Sequence, residues 1–384
     1  MFVFLAATVL LASSVHAVPV NINSGNPTMP FPQFLDYAGG QSLASNPPDG
    51  VSHAEMEQWI RDAYQILANR FEYTGDSHGG VQYIIGNIGC PYDCAEGDGY
   101  ALIAAAIMGD KDTFDGLLMR FHDTRLIKRP TISGCVVPDP GYRYGNLPKD
   151  NTDSAADGDF DIALGLLLGW RQWGDNMGIN DACGNPISYR EIALYVLRGL
   201  VEMAEGDNVD CYKTSGDIGF DGYIKNGNTG RELTAWAAGP CGTVHPNGAY
   251  FADSIADVHI DYAAPAYFNC FAQVLETEGD PEWNISQYRR AEASSDWLMG
   301  QIYANNWIPV AGWVSCSDPS CSTVSVWNYM DGEDFRLPWR THLNYMWHGP
   351  PEYSWDPVNH VTITASNTYE YDSALDFAAY MKNP

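Results

Sequence analysis

Positive charge is what this sequence has least of: 20 Lys and Arg side chains stand against 48 Asp and Glu, a net charge of −28. A surface of that sign repels phosphate backbones and anionic headgroups, so neither nucleic acid nor a membrane is expected as a partner. It reads as a solvated acidic coat that tolerates salt or acid, and it would also attract a cationic polymer. Long apolar runs are missing as well. Beyond the first residues no segment stays apolar for the roughly 20 positions a membrane span needs. Met1–Ala17 is itself too short for a span and ends in Val15-His16-Ala17, whose small outer residues suit a signal peptidase, although no Lys or Arg precedes its apolar run. The expectation is a signal peptide over 1–17, a mature chain from Val18, and secretion.

No Pro/Ser/Gly tract or charge block divides the mature chain, and no short-period repeat recurs in it. The expected organisation is an irregular segment at 18–50 and one domain over 51–384, with a Gly-, Asp- and Asn-rich loop excursion at about 205–255. All nine cysteines follow the signal segment, which fits an oxidising compartment and leaves one unpaired unless chains are cross-linked. Cys90 and Cys94 bracket a tight turn, as do Cys316 and Cys321, but no His or second Cys-x-x-Cys follows at zinc-ligand spacing. Neither a metal nor another cofactor is expected. Asn284-Ile-Ser286 is a glycosylation acceptor if the host is eukaryotic.

What is present is a recurrent plan in which carboxylates run straight into apolar helix. Asp153-Ser-Ala-Ala-Asp157-Gly-Asp159-Phe-Asp161 leads into Ile162–Trp170, where every residue is apolar or glycine. A helix with no polar face has to be enclosed by protein. Asp153 or Ser154 can cap it, and acids in a first turn suit the helix dipole. One cap needs one acid, however. Asp157 and Asp161 lie four apart on one face, and Asp159 points elsewhere. Cys94-Ala-Glu96-Gly-Asp98-Gly-Tyr100 repeats the plan ahead of another helix without a polar face, Ala101–Met108.

Amphipathic helices alternate with these. Residues 52–71 carry Met56, Trp59, Ile60, Ala63, Ile66, Leu67 and Phe71 at helical spacing, residues 111–127 carry Phe114, Leu117, Leu118 and Phe121, and 188–203 carry Ile192, Tyr195, Val196, Leu200 and Met203. Pro130–Pro148 reads as a long loop. A mostly apolar helix starts at Asp261, an amphipathic one covers 286–303, the acids Asp331, Glu333 and Asp334 precede a helix containing Pro338, and a last helix covers about 371–381. Short connections make successive inner and outer helices antiparallel, so all inner helices point one way. Their acidic starts, Glu96, Asp157 and the Asp331–Asp334 cluster, then share one rim of an α/α barrel. Carboxylates in a cleft with many aromatics, and with no obvious nucleophilic Ser or Cys, are the equipment of glycosidic cleavage. The 12 Trp and 23 Tyr can serve as core or as sugar platforms.

Four motifs carry a family resemblance. Ala156-Asp-Gly-Asp-x-Asp-Ile-Ala, Glu96-Gly-x-Gly-Tyr100, Arg336-x-Pro-Trp-Arg340 and Pro265-Ala-Tyr267-Phe268 resemble the signatures of glycoside hydrolase family 8 in that family's order. The resemblance implies an all-α (α/α)6 barrel hydrolysing β-1,4-linked polysaccharide with inversion. It makes Glu96 the general acid and Asp157 the carboxylate that holds the sugar beside the scissile bond. Tyr100, Tyr267, Arg336 and Asp331 become candidates for sugar contact, and apolar packing behind Glu96 would raise its pKa. Ala156 replaces the family's usual Ser or Thr, Asp98 stands where Gln is frequent, and Asn344 replaces an acid. For the base, register points to Glu333, while a small insertion would give the place to Asp331. The expected protein is a secreted monomeric endo-β-1,4-glucanase on cellulose or mixed-linkage β-glucan. Chitosanase or xylanase are the alternatives within the family, and a non-catalytic carbohydrate-binding barrel is the alternative outside it.

Overall fold

The computed structural model describes residues 52–77, 80–85, 95–124, 126, 128–130, 136–138, 156–201, 217–218, 224, 257–259, 262–304, 313–316, 324–327, 340, 343–344, 347–348, 353–356 and 361–364. The signal segment, the 18–50 segment, nearly all of the 205–255 excursion, Asp153, Ser154, Asp331, Glu333, Asp334, Arg336 and the 371–381 helix lie outside the described residues. The chain forms two compact units, one of 1–140, 146–149 and 161–193, the other of 141–145, 150–160 and 194–384.

In the first unit, helix α1 (His53–Ala68) starts at a capping box: the Ser52 hydroxyl accepts from the Glu55 amide and the Glu55 carboxylate accepts from the Ser52 amide. It ends at Ala68, and Phe71 instead opens an antiparallel hairpin of β1 (Phe71–Ser77) and β2 (Gly80–Ile85). The expected stripe is not the buried face: Trp59, Ile60, Ala63 and Ile66 are exposed, while the covered residues of the helix are Tyr64 and Ala68, which lie outside the stripe, and Phe71 is covered beyond the helix end. Periodicity marked an apolar face, but the neighbours pack against a different one.

Helix α2 (Ala95–Met108) and helix α3 (Lys111–Thr124) follow, turning at Gly109-Asp110. Asp110 starts α3: its carboxylate accepts from the Thr113 amide and hydroxyl and from the Tyr64 hydroxyl, which ties α1 to that turn. Burial pushes the Asp110 carboxyl above the ordinary carboxylate range despite those donors. The stretch expected as a loop after α3 holds a small hairpin, β3 (Lys128–Pro130) with β4 (Val136–Pro138).

Helix α4 (Ala156–Trp173) is the enclosed helix read from the sequence, with every residue from Ala156 to Leu167 buried. Its glycines let it come close to its neighbour. A Cβ on Gly165 would sit 2.6 Å from Leu102 Cβ and 3.1 Å from the Ile103 backbone nitrogen. Seven residues on, Gln172 Nε2 donates to the Ala106 carbonyl at 3.1 Å. Contacts that advance together along both chains mean that α2 and this part of α4 run parallel. The hairpin of β5 (Asn176–Asn180) and β6 (Pro186–Ser188) then leads into helix α5 (Tyr189–Leu200). There Asp115 accepts from both Lys111 and Tyr189, joining the start of α5 to α3.

In the second unit, helices α6 (Pro265–Glu278) and α7 (Glu282–Ala304) form an antiparallel pair. Pro265 suits a first helical turn, and Gly279 at φ +76° closes the last, its amide and that of Asp280 returning to Glu276 and Leu275. Asn269 donates to Glu292 at 2.6 Å, and Phe271 meets the Tyr288 ring edge-on at 5.5 Å. Arg198 grips Asp280 with two bonds of 2.7 Å, and the Tyr288 hydroxyl donates to the Leu197 carbonyl. Asn284 is buried and donates to Asp280, so the folded chain has no room for a glycan at the sequon. Strands β7 (Asp257–His259), β8 (Trp313–Cys316) and β9 (Val324–Trp327) make one antiparallel sheet, and β10 (Tyr353–Asp356) pairs with β11 (Val361–Thr364). Among the described residues, no helix is long and apolar enough to cross a membrane.

Gly165→Ala tests the parallel contact. Alanine normally stabilises a helix by up to about 1 kcal/mol over glycine, but here overpacking against Leu102 and backbone should cost about 1–3 kcal/mol. We expect a lower Tm in thermal unfolding. A rise of the size helix propensity alone would give refutes the close approach.

Candidate active site

Glu96 is the second residue of α2, and Asp98 follows within the same first turn. The dipole favours acids there, yet Asp98 is buried while Glu96 and Tyr100 remain partly exposed. Behind them Ala101, Leu102, Ala105 and Ala106 are fully covered. Within the first unit α2 and α4 run parallel, so Asp98, four residues before Leu102, and Asp161, four residues before Gly165, lie at the same end of the α2–α4 pair.

The start of α4 is more acidic inside than capping requires. Asp157, Asp159 and Asp161 are all buried, at 0, 1 and 0% exposure. The expectation that Asp159 points away from the others is met only in helical phase, because protein encloses that side too. Buried carboxylates are kept where they are paired or perform a task.

In the second unit, Phe160 lies edge-on to Phe268 with ring centroids 4.9 Å apart, which packs the first turns of α4 against the start of α6. Tyr267, next to Phe268, is completely buried. The Arg340 guanidinium, also buried, lies 5.8 Å from the Tyr267 ring centroid. Trp347 stacks on Tyr267 at 25° and 6.2 Å. One helical turn after Arg340, Asn344 donates to Asp296 of α7 at 3.4 Å, and one turn further His348 donates from Nε2 to the Ala266 carbonyl at 3.1 Å. A carbonyl only accepts, so that nitrogen carries the proton. Burial lowers the His348 pKa, which favours the neutral ring.

The structure thus brings Asp157 near the Tyr267 and Arg340 cluster through the Phe160–Phe268 contact, and it sets Glu96 at the head of α2. Asp296, His348 and Trp347 were missed in the sequence. Asp296 looks like an ordinary polar position of a long helix, and only its burial beside Asn344 marks it. Among the described residues no three His, Cys, Asp or Glu side chains gather as a metal site.

Comparison with known proteins places this arrangement among others. Residues 85–207 match the family model for glycosyl hydrolases family 8. An endoglucanase of Bacillus sp. (strain KSM-330) is 30% identical over 163 residues, 39% of this chain and 33% of that protein. A beta-glucanase of Niallia circulans is 27% identical over 168 residues, 42% of this chain and 38% of that one. The chain therefore spans little more than a third of the length of these curated relatives. The solved apo structure of a beta-1,3-1,4-glucanase from Paenibacillus sp. X4 matches with a TM-score of 0.53 at 15% identity, over 88% of this chain and 74% of that one. Such a likeness shows the fold, and the expected all-α (α/α)6 barrel is the fold of this chain.

Tyr267→Ala and Tyr267→Phe separate packing from chemistry at this cluster. Alanine should cost about 3–5 kcal/mol by leaving a cavity between Arg340 and Trp347. Phenylalanine keeps the ring and removes only the hydroxyl, so it should cost at most about 1 kcal/mol. Equal losses for the two variants in urea unfolding would contradict the buried, ring-packed position.

Proposed function

From the match of residues 85–207 to the family model for glycosyl hydrolases family 8, the partial likeness to an endoglucanase and the enclosed acidic helix starts, we propose that the chain is a member of that family and an inverting endo-β-1,4-glucanase acting on cellulose or mixed-linkage β-glucan. The observation that carries the reading is the orientation of α2 and α4, two parallel enclosed helices that each begin with carboxylates. In this reading Glu96 protonates the departing glycosidic oxygen. Its partial exposure lets it reach substrate, and the apolar packing behind it favours the protonated acid. Asp157 holds the sugar beside the scissile bond, with Tyr100, Tyr267 and Arg336 contacting sugar or fixing a carboxylate. Glu333 withdraws a proton from the attacking water, with Asp331 beside it in the substrate site. The protein acts as a secreted monomer, all but one of its nine cysteines paired in an oxidising compartment, and needs no metal. The net charge of −28 favours one second reading, a chitosanase, because a cationic polymer is drawn to such a surface.

Reducing-sugar release from carboxymethylcellulose, lichenan, chitosan and xylan, measured side by side, tests the substrate. Lichenan or carboxymethylcellulose should lead, whereas chitosan leading supports the second reading and no release from any of them overturns the activity. Proton NMR of the nascent product should show the α-anomer first, since inversion places a water between carboxyl groups roughly 6.5–9.5 Å apart. A β-anomer formed first contradicts inversion.

Glu96→Gln should fold normally and lose about 10²–10⁴-fold in turnover, because an amide has no proton to deliver. Near-normal turnover on unactivated polysaccharide removes Glu96 from the role. For the base, Glu333→Ala should abolish hydrolysis and be partly rescued by azide, a small nucleophile that fits the vacated space, while Asp331→Ala loses less. The reverse pattern assigns the base to Asp331.

A further inference from the structure

The exposed aromatic surface beside the Tyr267 cluster belongs to a residue that no motif marked. Tyr267 is buried and offers no face to a ligand, whereas Trp347, stacked over it, is 44% exposed. With Tyr267 near-parallel to it on one side, the indole still leaves 44% of the residue open to solvent. The ring is held in place. His348, the next residue, meets it edge-on at 6.3 Å and 81°, and His348 is itself anchored to the Ala266 carbonyl at the start of α6. The buried Arg340 guanidinium lies 5.8 Å from the centroid of the same Tyr267 ring. Other exposed aromatics differ: Trp59 is 55% exposed on α1, with no ring contact among the described residues. Trp347 combines exposure with a fixed orientation next to residues of the candidate site.

We propose that Trp347 is a sugar platform of this site, taking one pyranose unit of a β-1,4-linked chain on its open face. The inference rests on the glycanase reading above and deepens it. A β-1,4-linked glucosyl unit carries its substituents equatorially, so each face of the ring is a flat set of axial C–H groups. Those positively polarised hydrogens match the negative face of an indole. An α-1,4-linked chain bends away from such a plane and presents fewer units flat. Tyr267 and Arg340 act beneath the platform as positioning residues that set the plane of the indole.

Steady-state kinetics of the full chain on mixed-linkage β-glucan tests this. Trp347→Ala should raise KM about three- to ten-fold, the size expected for one aromatic contact, and Trp347→Phe should recover most of the loss. A second readout does not depend on the alanine variant folding. In the Glu96→Gln protein labelled with 5-fluorotryptophan, the fluorine resonance that Trp347→Phe removes should shift with cellohexaose and stay still with maltohexaose. A folded Trp347→Ala with KM within twofold of the parent overturns the proposal, as does an assigned resonance that stays still while others move. If the parent chain hydrolyses no β-1,4-glycan and cellohexaose moves no resonance, the glycanase reading has failed and the platform falls with it.

Discussion

A helix without a polar face is stable in water only when other protein encloses it, and α2 and α4 impose that condition on this chain. Each is nearly all apolar after its first turn, so neither can lie at a surface. Their mutual approach at Gly165 and Leu102 is close enough to exclude even a methyl group. Close packing at that distance leaves little freedom in tilt or register. Once both helices are fixed and parallel within the first unit, Asp98 and Asp161 are fixed at one end of the pair as well.

The surrounding elements are joined by polar links at helix ends as well as by apolar packing. Asp110 collects Tyr64 and Thr113, Asp115 collects Lys111 and Tyr189, and Asp280 collects Arg198 and Asn284. Each joins elements that the chain order separates. Burial raises Asp110 and Asp115 above the usual carboxylate range in spite of their donors. Their folded pKa values exceed the unfolded ones, so the stability they contribute is full at low pH and is lost as pH rises through the folded values. That sign suits a strongly acidic protein, whose self-repulsion also eases as carboxylates take up protons.

In the second unit an aromatic cluster does the corresponding work. Phe160 meets Phe268 and Phe271 meets Tyr288 edge to face, and a tilted Phe268–Tyr288 contact links the two pairs around the start of α6, an arrangement that the ring quadrupole favours. Tyr267 is buried beside it, with the Arg340 guanidinium and the Trp347 indole near its ring.

The sequence alone determined the enclosed helices, because an apolar run of that length with acids at its head has few other solutions in a water-soluble fold. It also placed Glu96 and Asp157 in first turns, since the motif, the dipole and the pattern of burial agree there. Local pattern did not decide which face of α1 meets a neighbour. Trp59, Ile60 and Ile66 form the stripe that periodicity marks and are exposed, while Tyr64 and Ala68, outside it, are covered. Pattern also left the Asn284 sequon open, which tertiary burial closes, and gave no sign of Asp296, an acid in a helix like any other until Asn344 is packed against it. Periodicity reports the character of a face. What that face meets is set by partners distant in sequence, and only the tertiary structure brings those together.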